Sequence, residues 1–188
     1  MVARIATAAC DRHYFDRGDV SGNAARAAVT SLRATGEPTR DAWTALALRS
    51  ARDAGIPTDE EVKRKLLVGS GDGDLGASCH DLAARLVTRS VLLREVESDP
   101  PSARLRAELL SRADEALSDP ETTWFASIGF YQRGRAQWER WSSLMKPIVT
   151  ERRERRQGDD ERVAATNEAW VALSAKLYFR YSASVGAR

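Results

Sequence analysis

The sequence predicts an all-α protein, a bundle of about seven to eight helices. Apolar residues recur at spacings of three and four along almost the whole chain, and the breaks between periodic segments carry helix-capping residues with glycine or proline beside them. The 188 residues are 43% hydrophobic, enough to bury one good-sized core. The expectation is a helical region over 1–99 and an aromatic, Arg-rich helical bundle over 100–188, either separate or as one continuous domain.

Residues 2–14 form the first expected helix, with Val2, Ile5, Ala9 and His13 in line, broken by the turn-rich DRGDVSG at 16–22. A small-residue helix follows from Asn23 to Thr35, with Ala25, Ala28, Val29 and Leu32 inward, ending at Gly36. Thr39 reads as the N-cap of a helix through Trp43, Leu46, Ala47 and Ala54 that stops at Gly55. Thr58-Asp-Glu-Glu61 has the pattern of a capping box, opening a short helix to Val68.

The stretch GSGDGDLGA at 69–77 reads as a linker. It lacks the lysine and hydroxyl of a phosphate-binding loop, its aspartates Asp72 and Asp74 would repel phosphate, and its glycine is misplaced for a calcium-binding hand. Ser78 with Asp81 resembles a second cap, for a helix through Leu82, Leu86, Val91, Leu93 and Val96 that stops at Asp99-Pro100-Pro101. Another helix is expected over 102–118, with Leu105, Leu109, Ala113 and Leu117 inward, and Asp119-Pro120 should cap and open the next.

That next segment, TWFASIGFYQRGRAQWERWSSLM at 123–145, holds six of the thirteen aromatic residues. As one helix it places Trp124, Ile128, Tyr131, Trp138, Trp141 and Met145 on one side and Arg133, Glu139, Arg140 and Ser143 on the other. Arg135 breaks the pattern by projecting among Trp124, Ile128 and Tyr131, where it must stack, snorkel or meet an anion. Pro147 should kink or interrupt the helix, and Gly158 should end it. A last helix from Asp160 presents Val163, Asn167, Trp170, Ser174, Leu177 and Tyr181 on a heptad-like face suited to packing on the aromatic helix. Phe125 and Phe179 lie off these stripes and should touch another helix or another subunit.

The chain carries 29 basic and 27 acidic residues, but the balance is uneven. Residues 120–157 hold eight basic and four acidic groups, a local +4, and 25 of the 29 basic residues are arginine, the better phosphate fork. A GC-rich coding sequence is an equally good explanation of so much arginine. The candidate nucleic-acid-binding residues are Arg133, Arg135, Arg140, Lys146, Arg152, Arg153, Arg155 and Arg156.

Cys10 and Cys79 are too few for a secreted disulfide scaffold, and no apolar run approaches the ~20 residues of a membrane span. The opening MVARIATAAC is too short and too soon charged for a signal peptide, so a cytoplasmic protein with no membrane contact is expected. Both cysteines sit beside the two histidines, as Cys10-x-x-His13 and Cys79-His80, which makes Cys10, His13, Cys79 and His80 candidate zinc ligands against the reading of two buried thiols and two ordinary imidazoles. Cys79 at a helix N-terminus is also a candidate activated thiolate. No motif of a protease, kinase, nucleotide-binding fold or hydrolase is present. A non-enzyme without a cofactor is expected.

The segment Phe130-Tyr131-Gln132-Arg133-Gly134-Arg135, followed by Pro147-Ile148 and by Glu168-Ala169-Trp170-Val171-Ala172, keeps an order and spacing that resemble the small helical subunit of type III-A CRISPR effector complexes. In that family an aromatic-Tyr-x-x-Gly-Arg segment precedes a Glu-Ala-hydrophobic-Val-Ala segment, and the likeness covers about residues 124–182. It implies a non-catalytic subunit that stacks with copies of itself and with other protein subunits in a ribonucleoprotein, supporting guide and target RNA by the backbone. A helical protein-interaction or scaffold module without nucleic-acid binding is the alternative.

Overall fold

A computed structural model describes residues 1–16, 19–71, 74–93, 98–132 and 134–155; at 11–13, 15–16, 19–20, 135 and 149–155 it describes the backbone alone. The described residues form nine helices and no strand, so the chain is all-α as expected. In order they are α1 (Val2–Asp16), α2 (Asp19–Thr30), α3 (Pro38–Asp53), α4 (Glu60–Gly69), α5 (Cys79–Leu92), α6 (Pro100–Ser111), α7 (Ala113–Ser118), α8 (Pro120–Tyr131) and α9 (Arg135–Arg155).

Several boundaries differ from the sequence reading, each for a local reason. The turn expected at 16–22 is shorter, because α2 already begins at Asp19. That helix also ends earlier, at Thr30 rather than Thr35. The Thr35 and Gly36 amides are drawn instead onto the buried Asp41 carboxylate at 2.7 and 3.0 Å, with Gly36 at φ +78°. Glu37, not Thr39, caps α3: its carboxylate accepts from the amides of Thr39 and Arg40, and Pro38 takes the first helical position. Asp59, not Thr58, caps α4 by accepting from Glu61 and Val62. Gly55 at φ +74° follows α3 as expected, and Ser78 caps α5 by accepting from the Asp81 amide.

Asp99-Pro100-Pro101 opens a helix instead of only stopping one: Asp99 accepts from the Ser102 amide and Pro100 begins α6. α5 itself ends at Leu92, and Val96 lies outside the described residues. The helix expected over 102–118 is divided at Arg112, whose guanidinium leaves the helix line to bond the Ala77 carbonyl at 2.8 Å and the Glu115 carboxylate. The aromatic segment is likewise two helices, not one. It breaks before Gly134, which holds φ +99°, a left-handed conformation that glycine adopts without steric penalty. Pro147, by contrast, does not end α9, which continues to Arg155. The expected helix from Asp160, with Val163, Asn167, Trp170, Ser174, Leu177 and Tyr181, lies outside the described residues, as do Gly158 and Phe179.

α8 is the centre. Every residue from Thr122 to Phe130 is buried, so this helix is enclosed on all sides. It packs most closely against α5, and α5 against α3. One apolar cluster joins α3, α5, α6, α7, α8 and α9 around Leu86, Phe125, Phe130 and Trp141. A second, built mostly from alanines and small aliphatics of α1 to α4, closes over Leu92 at the end of α5. The break at Gly134 folds the aromatic stripe back on itself: Phe130 of α8 stacks on Trp141 of α9 with ring centroids 4.8 Å apart, and Tyr131 meets Trp138 edge-on. The indole of Trp141 donates to the Ser127 hydroxyl at 3.0 Å, which satisfies its one buried polar atom. Phe125, off the stripe in sequence, lies against Trp43 of α3 and His80 of α5, so its partner is another helix of the same chain.

Candidate nucleic-acid interface

α9 carries the candidate basic surface. Its inner line is Trp138, Trp141, Met145 and Ile148, all packed on the core, and its outer line exposes Glu139, Arg140, Ser143, Leu144, Lys146 and Pro147. At about 100° per residue, Arg140 and Lys146 stand roughly 120° apart around the helix axis, flanking Ser143 at the crest. Neither has a carboxylate partner among the described residues. Several basic side chains elsewhere do have one: Arg49, Lys63, Arg64, Arg89 and Arg112 each pair with a nearby acid, whereas Arg26 and Arg33 bond neutral oxygens.

Of the eight candidate residues, Arg140 and Lys146 are described with their side chains. Arg133 and Arg156 lie outside the described residues, and Arg135, Arg152, Arg153 and Arg155 are described by their backbone alone. Along α9 the backbone positions of Arg135, Lys146 and Arg153 fall in one row, about 27 Å from end to end at 1.5 Å per residue. Position 152 falls on the line of Trp141 and Met145, and position 155 on the line of Ile148. Arg135 opens α9 just after the Gly134 break, so it no longer belongs to the helix that carries Trp124 and Ile128. The single-helix register that set it among those side chains is therefore lost.

The cysteine and histidine pairs are separated by their contacts. Cys79 is buried, with its sulfur 3.9 Å from the Arg112 carbonyl, while both ring nitrogens of His80 are hydrogen-bonded to threonines. Cys10 is buried in α1 and the side chain of His13 lies outside the description. Among the described residues no three His, Cys, Asp or Glu side chains converge as a metal site would need. Burial pushes the Cys79 thiol up to about 11, against a smaller opposing pull from Arg112, so the helix N-terminus does not make it a thiolate. The expected result is that iodoacetamide at pH 8 leaves Cys79 of the folded protein largely unmodified and labels it after unfolding. Mass spectrometry of the tryptic peptides checks this, and rapid native labelling would contradict the burial.

His80 instead joins three helix N-termini, an arrangement with no signal in the sequence because its partners lie about forty residues away on either side. Asp119, the cap of α8, accepts from both the amide and the hydroxyl of Thr122, at 2.7 and 2.6 Å. The Thr122 hydroxyl proton is thereby committed to the carboxylate. Its lone pairs are left for His80 Nδ1, 3.0 Å away, which must carry the hydrogen. Nε2 is hydrogen-bonded to the Thr39 hydroxyl at 2.9 Å, accepting from it when the ring is neutral. Burial works against the Asp119 carboxylate, but the Thr122 bonds and the neighbouring His80 hold its carboxyl below the usual range. A hydroxyl on an imidazole is the start of a nucleophile, yet the amides beside Thr39 already serve the Glu37 carboxylate. An oxyanion formed there would meet a negative charge, so the relay is a clasp.

No protein-family model matches this sequence, and neither the curated proteins nor the solved structures give a match.

Proposed function

We propose that the protein is a non-catalytic helical subunit that holds single-stranded nucleic acid, guide or target RNA in the first place, by its sugar-phosphate backbone within a cytoplasmic ribonucleoprotein of antiviral defence. The observation that carries this reading is the pair Arg140 and Lys146, exposed on α9 with no carboxylate partner among the described residues, on a helix that runs on through the arginines at 152, 153 and 155. Exposed cations attract phosphate without reading bases, which suits a guide of any sequence. The resemblance of Phe130–Arg135 to the type III-A small subunit supports the same reading.

Filter binding with single-stranded RNA across a salt series tests the reading. The R140A/K146A double variant should lose affinity at low salt, and its log-log salt slope should fall by roughly 0.7 for each phosphate contact removed. Circular dichroism should remain that of the wild type, since both side chains are exposed. An unchanged slope would remove nucleic acid from the account.

The second reading, a scaffold without nucleic acid, is favoured by Leu144 at 39% exposure and Pro147 beside it on the same outer line. On that reading L144S would disturb assembly with a protein partner while RNA affinity stayed nil.

A further inference from the structure

Outside α9, the molecule has a second charged contact that neither the clasp nor the core explains. The guanidinium of Arg4, in the first turn of α1, lies 4.5 Å over the ring of Trp43 and bonds the Glu121 carboxylate at 3.1 Å. The other face of Trp43 is stacked on Trp124, with centroids 5.0 Å apart, so the indole is held in place whether or not Arg4 is there. An aromatic face beside a carboxylate is what a planar cation needs: the ring attracts its charge and the acid orients its N–H groups.

The arginine that fills this notch is held at the rim. Its side chain is 56% exposed and that of Glu121 27%. A cation over a ring and an ion pair, both in contact with water, form a weak latch. Val2 and Ile5, in the same first turn of α1, are about half exposed.

We propose that the notch between Trp43 and Glu121 is a recognition site for an arginine side chain of a partner protein, occupied in cis by Arg4 until the partner displaces it. The occupant is an arginine, since the Trp43 ring and the Glu121 carboxylate together take a guanidinium. Arginine is selected over lysine because a flat guanidinium can lie on the indole while it donates to the acid, and an ammonium cannot do both as well. The site is distinct from the α9 surface and stands whether or not the protein binds RNA.

The test uses the full chain and the peptide acetyl-Leu-Arg-Leu-amide, with its lysine counterpart as control, followed by tryptophan fluorescence and by the Trp43 indole resonance in NMR. Removing the competitor should strengthen binding, so R4M, which keeps the apolar stem, and R4A should each take the arginine peptide about tenfold more tightly than the wild type. Adding E121Q to R4M should undo the gain, and the lysine peptide should bind more weakly than the arginine peptide. Equal binding by wild type, R4M and R4A overturns the proposal, as does equal binding of the lysine peptide. Self-association of R4M that the peptide does not reverse would give the notch to a second copy and overturn it too. If R4A proves misfolded by circular dichroism, R4M alone decides.

Discussion

Gly129→Ala should destabilise the protein by about 1–3 kcal/mol, the cost of an extra methyl in a closely packed interior. In the middle of a helix this exchange ordinarily gains about 1 kcal/mol, so the sign is a real test. A Cβ on Gly129 would stand 2.5 Å from Leu86 Cγ and 2.8 Å from its Cδ2. Leu86 is fully buried within the main core and cannot swing into water, so α5 and α8 must part or the leucine must leave its rotamer. The interaction is checkable by a cycle. Leu86→Ala alone should cost about 2–5 kcal/mol by opening a cavity, and the double variant G129A/L86A should lose less than the sum of the two, by about 1 kcal/mol or more. Urea midpoints measure all three. A G129A protein as stable as the wild type would mean that the two backbones are not in contact at this glycine.

The same glycine marks what the sequence could and could not disclose. Helix class, the caps at Ser78 and Asp119 and the glycine stop at Gly55 are local: each depends on a side chain and an amide two or three residues away, and each was readable. Two caps moved to a neighbouring acid, Glu37 and Asp59, and two other boundaries moved where a partner further along the chain displaced a local one. Asp41 takes the Thr35 and Gly36 amides from the end of α2, and Arg112 divides α6 from α7 to reach Ala77, 35 residues away. Gly134 fits a continuous helix in the sequence because glycine carries no apolar periodicity to contradict the register around it. Its left-handed backbone divides the stripe, yet Trp138, Trp141 and Met145 still face the core that Trp124 and Ile128 enter, since the reversal keeps both apolar faces inward.

The site was legible in the same uneven way. That Arg140 and Lys146 would be wet followed from the helical period. The His80 clasp and the Arg4 notch did not follow from anything, because Thr39, Thr122 and Glu121 are unremarkable residues until the chain folds; Arg4 and Glu121 are 117 positions apart. Long-range polar pairs of this kind leave no spacing to read. They also explain why the Cys79-His80 pair suggested metal chemistry that the fold directs elsewhere, with the sulfur turned to a backbone carbonyl and the ring to two hydroxyls.

The other large effect concerns a buried ion pair that ties α5 to the start of α6. Arg89 and Asp99 are 9% and 7% exposed, joined through Nε to Oδ2 at 2.8 Å and Nη2 to Oδ1 at 2.6 Å, and Arg89 also donates to the Leu67 carbonyl at 2.9 Å. Asp99→Asn keeps a competent cap for α6 but leaves the guanidinium buried without its counter-charge, so it should cost about 3–5 kcal/mol. Asp99→Ala should cost about 1 kcal/mol more by losing the cap as well. Burial alone would raise the Asp99 carboxyl, yet the bonds from Arg89 and Ser102 win and bring it from 3.8 down to about 2. Because the folded-state value is the lower one, the pair contributes fully above about pH 4 and its contribution is lost as pH falls toward 2. At roughly 1.4 kcal/mol per unit, the loss across that window is on the order of 2–3 kcal/mol. Stability measured by urea denaturation between pH 5 and pH 2 should therefore fall more steeply for the wild type than for Asp99→Asn, which has no carboxyl to titrate there. Parallel curves for the two proteins would show that the buried arginine draws its compensation from somewhere other than Asp99.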